Sequence, residues 1–209
     1  MTTLLRLYNA ALRHVGERKL ASTTENIEAR HTLDEAYLGF VDFVLAKGYW
    51  KFAQRVSKIS YSADVTPDFG YPKAYLKPTD LIRTHKLCTD EYLKMPLLQY
   101  SEEAGYWYGH NEDIYLSYIS NDAAYGSDLT AWTPTFEVYA ELALAARISE
   151  RINPALDLTA KVQDALNDAI AKDALEGPTE FFPRSGWSRA RARNDRRNSR
   201  SELTGGSSS

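Results

Sequence analysis

The chain has 209 residues, 44% of them hydrophobic and 12% aromatic, with 25 basic against 28 acidic side chains and a formal net charge of −3. That is enough apolar content for one domain with a buried core, or one domain carrying a sizeable insertion. No apolar run approaches the roughly 20 residues of a membrane span, and the N-terminus MTTLLRLYNAALRHVGERKL has no basic start followed by an apolar stretch. Cys88 is the single cysteine, so neither an internal disulfide nor a thiolate metal site can form. These readings describe a soluble chain made inside a cell. Its 14 tyrosines and 4 tryptophans suit half-buried surfaces such as sheets and protein contacts.

In chain order, Leu4, Leu5, Tyr8, Ala11, Leu12 and Val15 stand at helical spacing, and Gly16 closes that run. Ser22 and Glu25 match a capping box at the start of a second helix that runs to Lys47. Leu33, Tyr37, Phe40 and Val44 share one face of it and Gly48 stops it. A rod of about 33 Å is expected. From Trp50 to Asn121 β-branched and aromatic residues dominate, broken by Pro67, Pro72, Pro78 and Pro96. Short connections favour antiparallel pairing. GYWYGHNEDIYLSYIS reads as a hairpin with GHNED as its turn.

Thr133 as N-cap and Pro134 at the first helical position start a third helix, kept slim by Ala140, Ala143, Ala145 and Ala146 and ended by Asn153-Pro154. A fourth helix turns Leu158, Val162, Ala165, Leu166, Ala169 and Ile170 inward and stops at Gly177-Pro178. The expected fold is α+β, mainly α. Residues 1–49 and 132–176 make a four-helix bundle, residues 50–131 an inserted small antiparallel β domain, and residues 177–209 an extended basic C-terminal arm.

No catalytic chemistry emerges. Phosphate-binding loops of the forms G-x-x-x-x-G-K-[ST] and G-x-G-x-x-G are missing, as is the G-x-S-x-G elbow. His14, His31, His85 and His110 fall on different elements without ligand spacing. Pro67-Asp68 followed by Glu91 and Lys94 approaches a nuclease pattern. Two residues separate Glu91 from Lys94 where one is needed, so the lysine falls on the opposite strand face. Asn111, Glu112 and Asp113 are read as turn residues, and Glu102-Glu103 as a solvated loop. The chain is read as a non-enzyme with no cofactor and no metal.

The end of the chain differs. Residues 184–209 hold seven arginines against Asp195 and Glu202, a charge of +5, which leaves −8 on residues 1–183. Arg189, Arg191 and Arg193 alternate with Ala190 and Ala192, so an extended conformation presents all three on one side. Phe181, Phe182 and Trp187 lie beside or among the arginines. Such an arm suits an acidic protein groove in which each guanidinium forks a carboxylate. It also suits nucleic-acid phosphates, where neutralising roughly six charges makes binding steeply salt-dependent.

Several stretches carry a family resemblance. LYNAALRHVGERKLASTTEN resembles the N-terminus of phage head-to-tail adaptors, in particular the tail tubular protein A family of short-tailed phages. LAKGYWKFAQRVSKIS resembles that family's entry into the first strand, and WTPTFEVYAELALAARISERI its third helix. FFPRSGWSRARARNDRRNSR is similar to the arginine-rich arm, with a central tryptophan, that follows the fourth helix in many adaptors. The likeness covers most of residues 3–200, but residues 63–125 do not match residue by residue.

The resemblance implies a structural virion protein. Such adaptors form a ring of roughly twelve copies at the portal–tail junction. One side meets the portal protein and the other the tail nozzle or tube. DNA passes through without sequence-specific binding, and no membrane is involved. The portal-contacting arm would comprise Phe181, Phe182, Arg184, Trp187, Arg189, Arg191, Arg193, Arg196 and Arg197. The alternative is a nucleic-acid-binding module that uses the same arginine-rich tail.

Overall fold

In the first helix, α1 (Leu4–Val15), the Thr3 hydroxyl accepts from the Arg6 amide at 3.3 Å. At its other end Gly16 takes φ 84°, a left-handed cap that suits glycine. The computed structural model of the chain describes residues 2–175 apart from Phe69 and Ala104. Of the expected face of α1, Tyr8, Ala11, Leu12 and Val15 are buried, Leu4 and Leu5 are only half-buried, and Leu7 and Ala10 join the buried side.

The expected 22–47 rod does not form. It is split into α2 (Glu28–Tyr37) and α3 (Phe40–Leu45) by Gly39, whose φ of 65° takes the backbone out of the right-handed helix. Both pieces keep the predicted inner face, with Leu33, Phe40 and Val44 fully buried. Carbonyls freed at the break need new donors. Arg147 supplies one, donating to Ala36 O at 3.0 Å, and Arg83 donates to Ala46 O beyond α3 at 3.2 Å. Ser22 and Glu25 do bond backbone amides, at Thr24 (3.3 Å) and Ala21 (2.7 Å). They close a turn ahead of a helix whose N-cap is Ile27.

Helix α4 (Pro134–Ile152) begins and ends where the sequence places it, with Pro134 in the first turn and Asn153 as C-cap. Its alanines let α1 and α2 lie close, and Ala140, Ala143, Ala145 and Leu144 are buried. Trp50, Trp132 and Tyr139 fill the space at its first turns in edge-to-face contacts with Phe136, with ring centroids 4.7, 4.8 and 5.9 Å away. The Trp50 indole donates to Leu45 O at 3.1 Å. Gly48 is required by this ring, because a Cβ there would lie 2.7 Å from it. Helix α5 (Thr159–Leu175) adds Ala169 to the core. Ile170, expected inside, is 41% exposed.

The β region forms two three-stranded antiparallel sheets. One has the order β1 (Gln54–Ser60), β6 (Asp113–Ser120), β3 (Leu81–Cys88), and the other β2 (Lys73–Leu76), β5 (Tyr106–Gly109), β4 (Ser101–Glu103). The expected hairpin is therefore absent: β5 pairs with β2 and β4, whereas β6 pairs with β1 and β3. Its turn passes the chain between sheets. Asn111 O accepts from the Tyr75 hydroxyl at 2.5 Å and Asp113 pairs with Lys58 at 2.8 Å. Trp107 from one sheet, and Ile114, Leu116 and Tyr118 from the other, bury in a second core with Tyr75, Leu87 and Leu97.

The four-helix bundle is thus corrected. Among the described residues there are five α-helices and two small antiparallel sheets. The helical core also takes in Ile119 of β6. A glycine broke one predicted helix, and a sheet residue completes the core that a bundle would have closed with helices alone.

Candidate docking surface

The segment from Thr89 to Tyr100, between β3 and β4, has a backbone held in detail. The Asp90 carboxylate accepts the amides of Lys94 (3.1 Å) and Met95 (2.7 Å). Thr89 N–H donates to Met95 O at 2.9 Å, and Leu97 N–H to Leu87 O at 2.8 Å. Leu93 adopts φ 56°, the one non-glycine residue with positive φ among those described. A branched-chain residue there stores about 1–2 kcal/mol of strain. Burial opposes ionisation of Asp90, but the Met95 and Lys94 amides hold its carboxyl below the usual range.

This loop points apolar side chains at water. Tyr92 is 72% exposed, Met95 63% and Leu98 83%. Apolar groups displayed on a preorganised backbone are the signature of a contact surface, since little ordering entropy remains to be lost on binding. The sequence gives this loop only Glu91 and Lys94 of the nuclease-like pattern, and no contact role. Its usable signal is DEYLKMPLLQY, an apolar run with neither helical nor strand period and with Pro96 inside it.

A second surface lies on α3. Phe43 is 41% exposed and carries two cations, Lys47 Nζ at 4.6 Å and the Arg147 guanidinium at 4.5 Å from its centroid. Tyr49, 45% exposed, lies under Arg83 at 4.2 Å and against His85 at 4.7 Å. Leu38, next to the break in the rod, is 78% exposed.

A third cluster is internal to the α1–α4 seam. Glu137 and Glu141 sit one turn apart on α4, each side chain 11% exposed. Thr2 Oγ1 donates to Glu137, with Arg6 at 3.4 Å from it. Arg13 at 3.7 Å and His14 at 3.9 Å face Glu141. Burial, then the Glu137 charge, pushes the Glu141 carboxyl up. Burial, then Arg13 and Lys161, pushes the His14 imidazole down. The carboxylate 3.9 Å away does not offset that. This arrangement docks one helix on another.

The nuclease-like residues do not converge. A cleft of about 300 Å³ includes Asp68, Glu103, Tyr71 and Tyr108, while Glu91 and Lys94 belong to the docking loop and do not line it. His14 faces Glu141, His31 bonds Asn26, His85 packs on Tyr49 and His110 on Tyr71. Among the described residues no group of three or more His, Cys, Asp or Glu is placed to hold a metal ion. No helix among them is long and apolar enough to cross a membrane. Cys88 is buried, which pushes its thiol pKa up. The arm residues Phe181, Phe182, Arg184, Trp187, Arg189, Arg191, Arg193, Arg196 and Arg197 lie outside the described residues. No protein-family model and no curated protein matches the chain.

Proposed function

We propose that the chain is a non-enzymatic structural subunit of a phage particle, a head-to-tail adaptor that joins the portal to the tail nozzle or tube and surrounds the DNA path. The observation that carries this reading is the Thr89–Tyr100 loop, whose backbone is fixed by Asp90 while Tyr92, Met95 and Leu98 face solvent. A strained, hydrogen-bonded loop displaying apolar side chains supports a role in assembly. The order of motifs resembling tail tubular protein A, and the contrast between a −8 body and a +5 tail, support the particular assembly. An acidic body also suits a DNA conduit, because repulsion keeps the duplex from adhering.

The test is co-sedimentation with the portal ring of the same genome, comparing the full-length protein with a truncation after Pro183 in physiological salt. The adaptor reading expects the full-length protein to pellet at a fixed ratio and the truncation to stay in solution. If both stay in solution while the full-length protein binds duplex DNA with a steep salt dependence, the nucleic-acid reading replaces it.

A further inference from the structure

Side chains on β5 alternate between the two faces of its sheet. Trp107 is buried in the second core, so Tyr106 and Tyr108 turn to the opposite face. The register of β4 sets Ser101 opposite Tyr108 and Glu103 opposite Tyr106, and cross-strand partners share a face. Ser101, Glu103 and Tyr108 therefore stand on the outer face of this sheet, where they line the cleft of about 300 Å³. Residues 65–68, Gly70 and Tyr71 complete the lining. Both tyrosines are half-buried there, and the His110 ring packs edge-to-face on Tyr71 at 5.0 Å.

Asp68 and Glu103 bring two carboxylates to a lining that holds no lysine, arginine or histidine. Neither carboxylate makes a hydrogen bond or an ion pair with the described residues. Lys77 donates to the Glu102 carboxylate at 2.8 Å and to the Glu103 main-chain carbonyl at 3.0 Å, which leaves the Glu103 carboxylate unpaired. The Tyr71 and Tyr108 hydroxyls are likewise without a partner among the described residues. Carboxylates beside aromatic rings are chemistry for a cation, because the faces of the rings attract positive charge. A guanidinium is planar, lies flat on rings and offers a rigid fork of N–H donors, whereas an ammonium is a compact and strongly hydrated charge. We propose that this cleft binds a guanidinium group on an aliphatic stem. Asp68 and Glu103 accept its N–H donors, and Tyr71 and Tyr108 supply the ring surface. An arginine side chain of a partner peptide and a free guanidine compound share that chemistry. The inference does not depend on the adaptor reading.

Amide NMR spectra of the full-length chain, titrated with L-argininamide, with the peptide acetyl-Gly-Arg-Gly-amide and with n-butylamine, test it. Both guanidinium probes are expected to shift the amides of Gly70, Ser101 and Tyr108, with dissociation constants on the order of millimolar for ligands of this size. Butylamine should bind about fivefold more weakly or worse. Asp68→Asn and Glu103→Gln, both at exposed positions, should each weaken the guanidinium probes by about fivefold or more. Tyr108→Leu should do the same while Tyr108→Phe keeps binding, since the ring is what counts. Circular dichroism checks that the variants fold, and the wild-type shift map decides the location without them. The tighter of the two guanidinium probes identifies the source, a peptide or a free compound. Butylamine binding as well as argininamide overturns the proposal, as do shifts spread over the acidic surface, no shifts at all, or binding that neither carboxylate variant weakens.

Discussion

Arg147, in the C-terminal half of α4, donates to the Ala36 carbonyl at 3.0 Å and lies over the rings of Phe40 and Phe43. One side chain thus satisfies the end of α2 and packs on the start of α3, which makes the break between them a joint. Arg147→Ala should cost about 1–3 kcal/mol, the usual range when a charge-assisted bond to a part-buried acceptor is removed. Arg147→Lys should recover little, because an ammonium cannot both reach the carbonyl and lie flat on two rings. Urea unfolding decides it. A lysine variant as stable as the wild type would mean that charge alone holds the joint.

Two glycines separate conformational strain from steric exclusion. Gly39 has φ 65° and open space where a Cβ would go, so Gly39→Ala should cost about 1–2 kcal/mol from strain. Gly126 is hemmed in. A Cβ there would lie 2.4 Å from the Ser120 carbonyl oxygen and 2.5 Å from Leu45 Cδ1. That carbonyl also accepts the Gly126 amide at 3.1 Å, and Gly126 O accepts the Trp132 indole at 2.9 Å. Gly126→Ala should therefore be the more damaging, at about 3 kcal/mol or more. If thermal melts rank the two variants the other way, the packing where β6 meets the helical core is misjudged.

Helix faces were legible where period and caps agreed. Leu4–Val15 and Pro134–Ile152 carry both signals, and their ends fall where Gly16, Pro134 and Asn153 put them. The 22–47 segment has the right face but the wrong continuity. Its period survives the break because Leu33, Phe40 and Val44 all face one core, and a lone glycine inside a periodic run reads as a tolerated residue. The GHNED segment failed for another reason. Strand pairing is decided by Trp107 and Ile114 burying from two sheets into one core, a non-local fact that no turn motif encodes. The docking loop left only its lack of period, since the donors to the Asp90 carboxylate are the main-chain amides of Lys94 and Met95, which every non-proline residue carries.

Asp90 gives the loop its rigidity, so Asp90→Ala should release it without unfolding the protein. The amides of Lys94 and Met95 lose their shared acceptor, and the turn around Leu93 keeps only main-chain bonds, Leu93 N–H to Asp90 O at 3.2 Å and Thr89 N–H to Met95 O at 2.9 Å. Hydrogen exchange at those amides should quicken markedly while exchange in α1 and α4 stays unchanged. Unaltered exchange at Met95 would mean that the Thr89–Met95 bond suffices.

The α1–α4 seam gives the protein two opposed pH dependences. His14 has a folded pKa below its ordinary 6.5, so the folded state resists its protonation. Stability on its account is full above pH 6.5 and falls as acid drives the pH down through the folded pKa. Glu141 has a folded pKa above its ordinary 4.5, mainly through burial. Its contribution is greatest below pH 4.5 and is lost as the pH rises through the folded value. His14→Gln should therefore gain on the wild type as the pH falls from 7 to 5. Glu141→Gln removes the burial cost, while its partner Arg13 is 66% exposed and gives up little when the pair is lost. It should gain at pH 7, with the advantage shrinking towards pH 4.5. Melting temperatures of both variants across that range are the measurement. Parallel curves for wild type and His14→Gln would show that protonated His14 finds in Glu141, 3.9 Å away, a partner good enough to offset burial and the nearby cations.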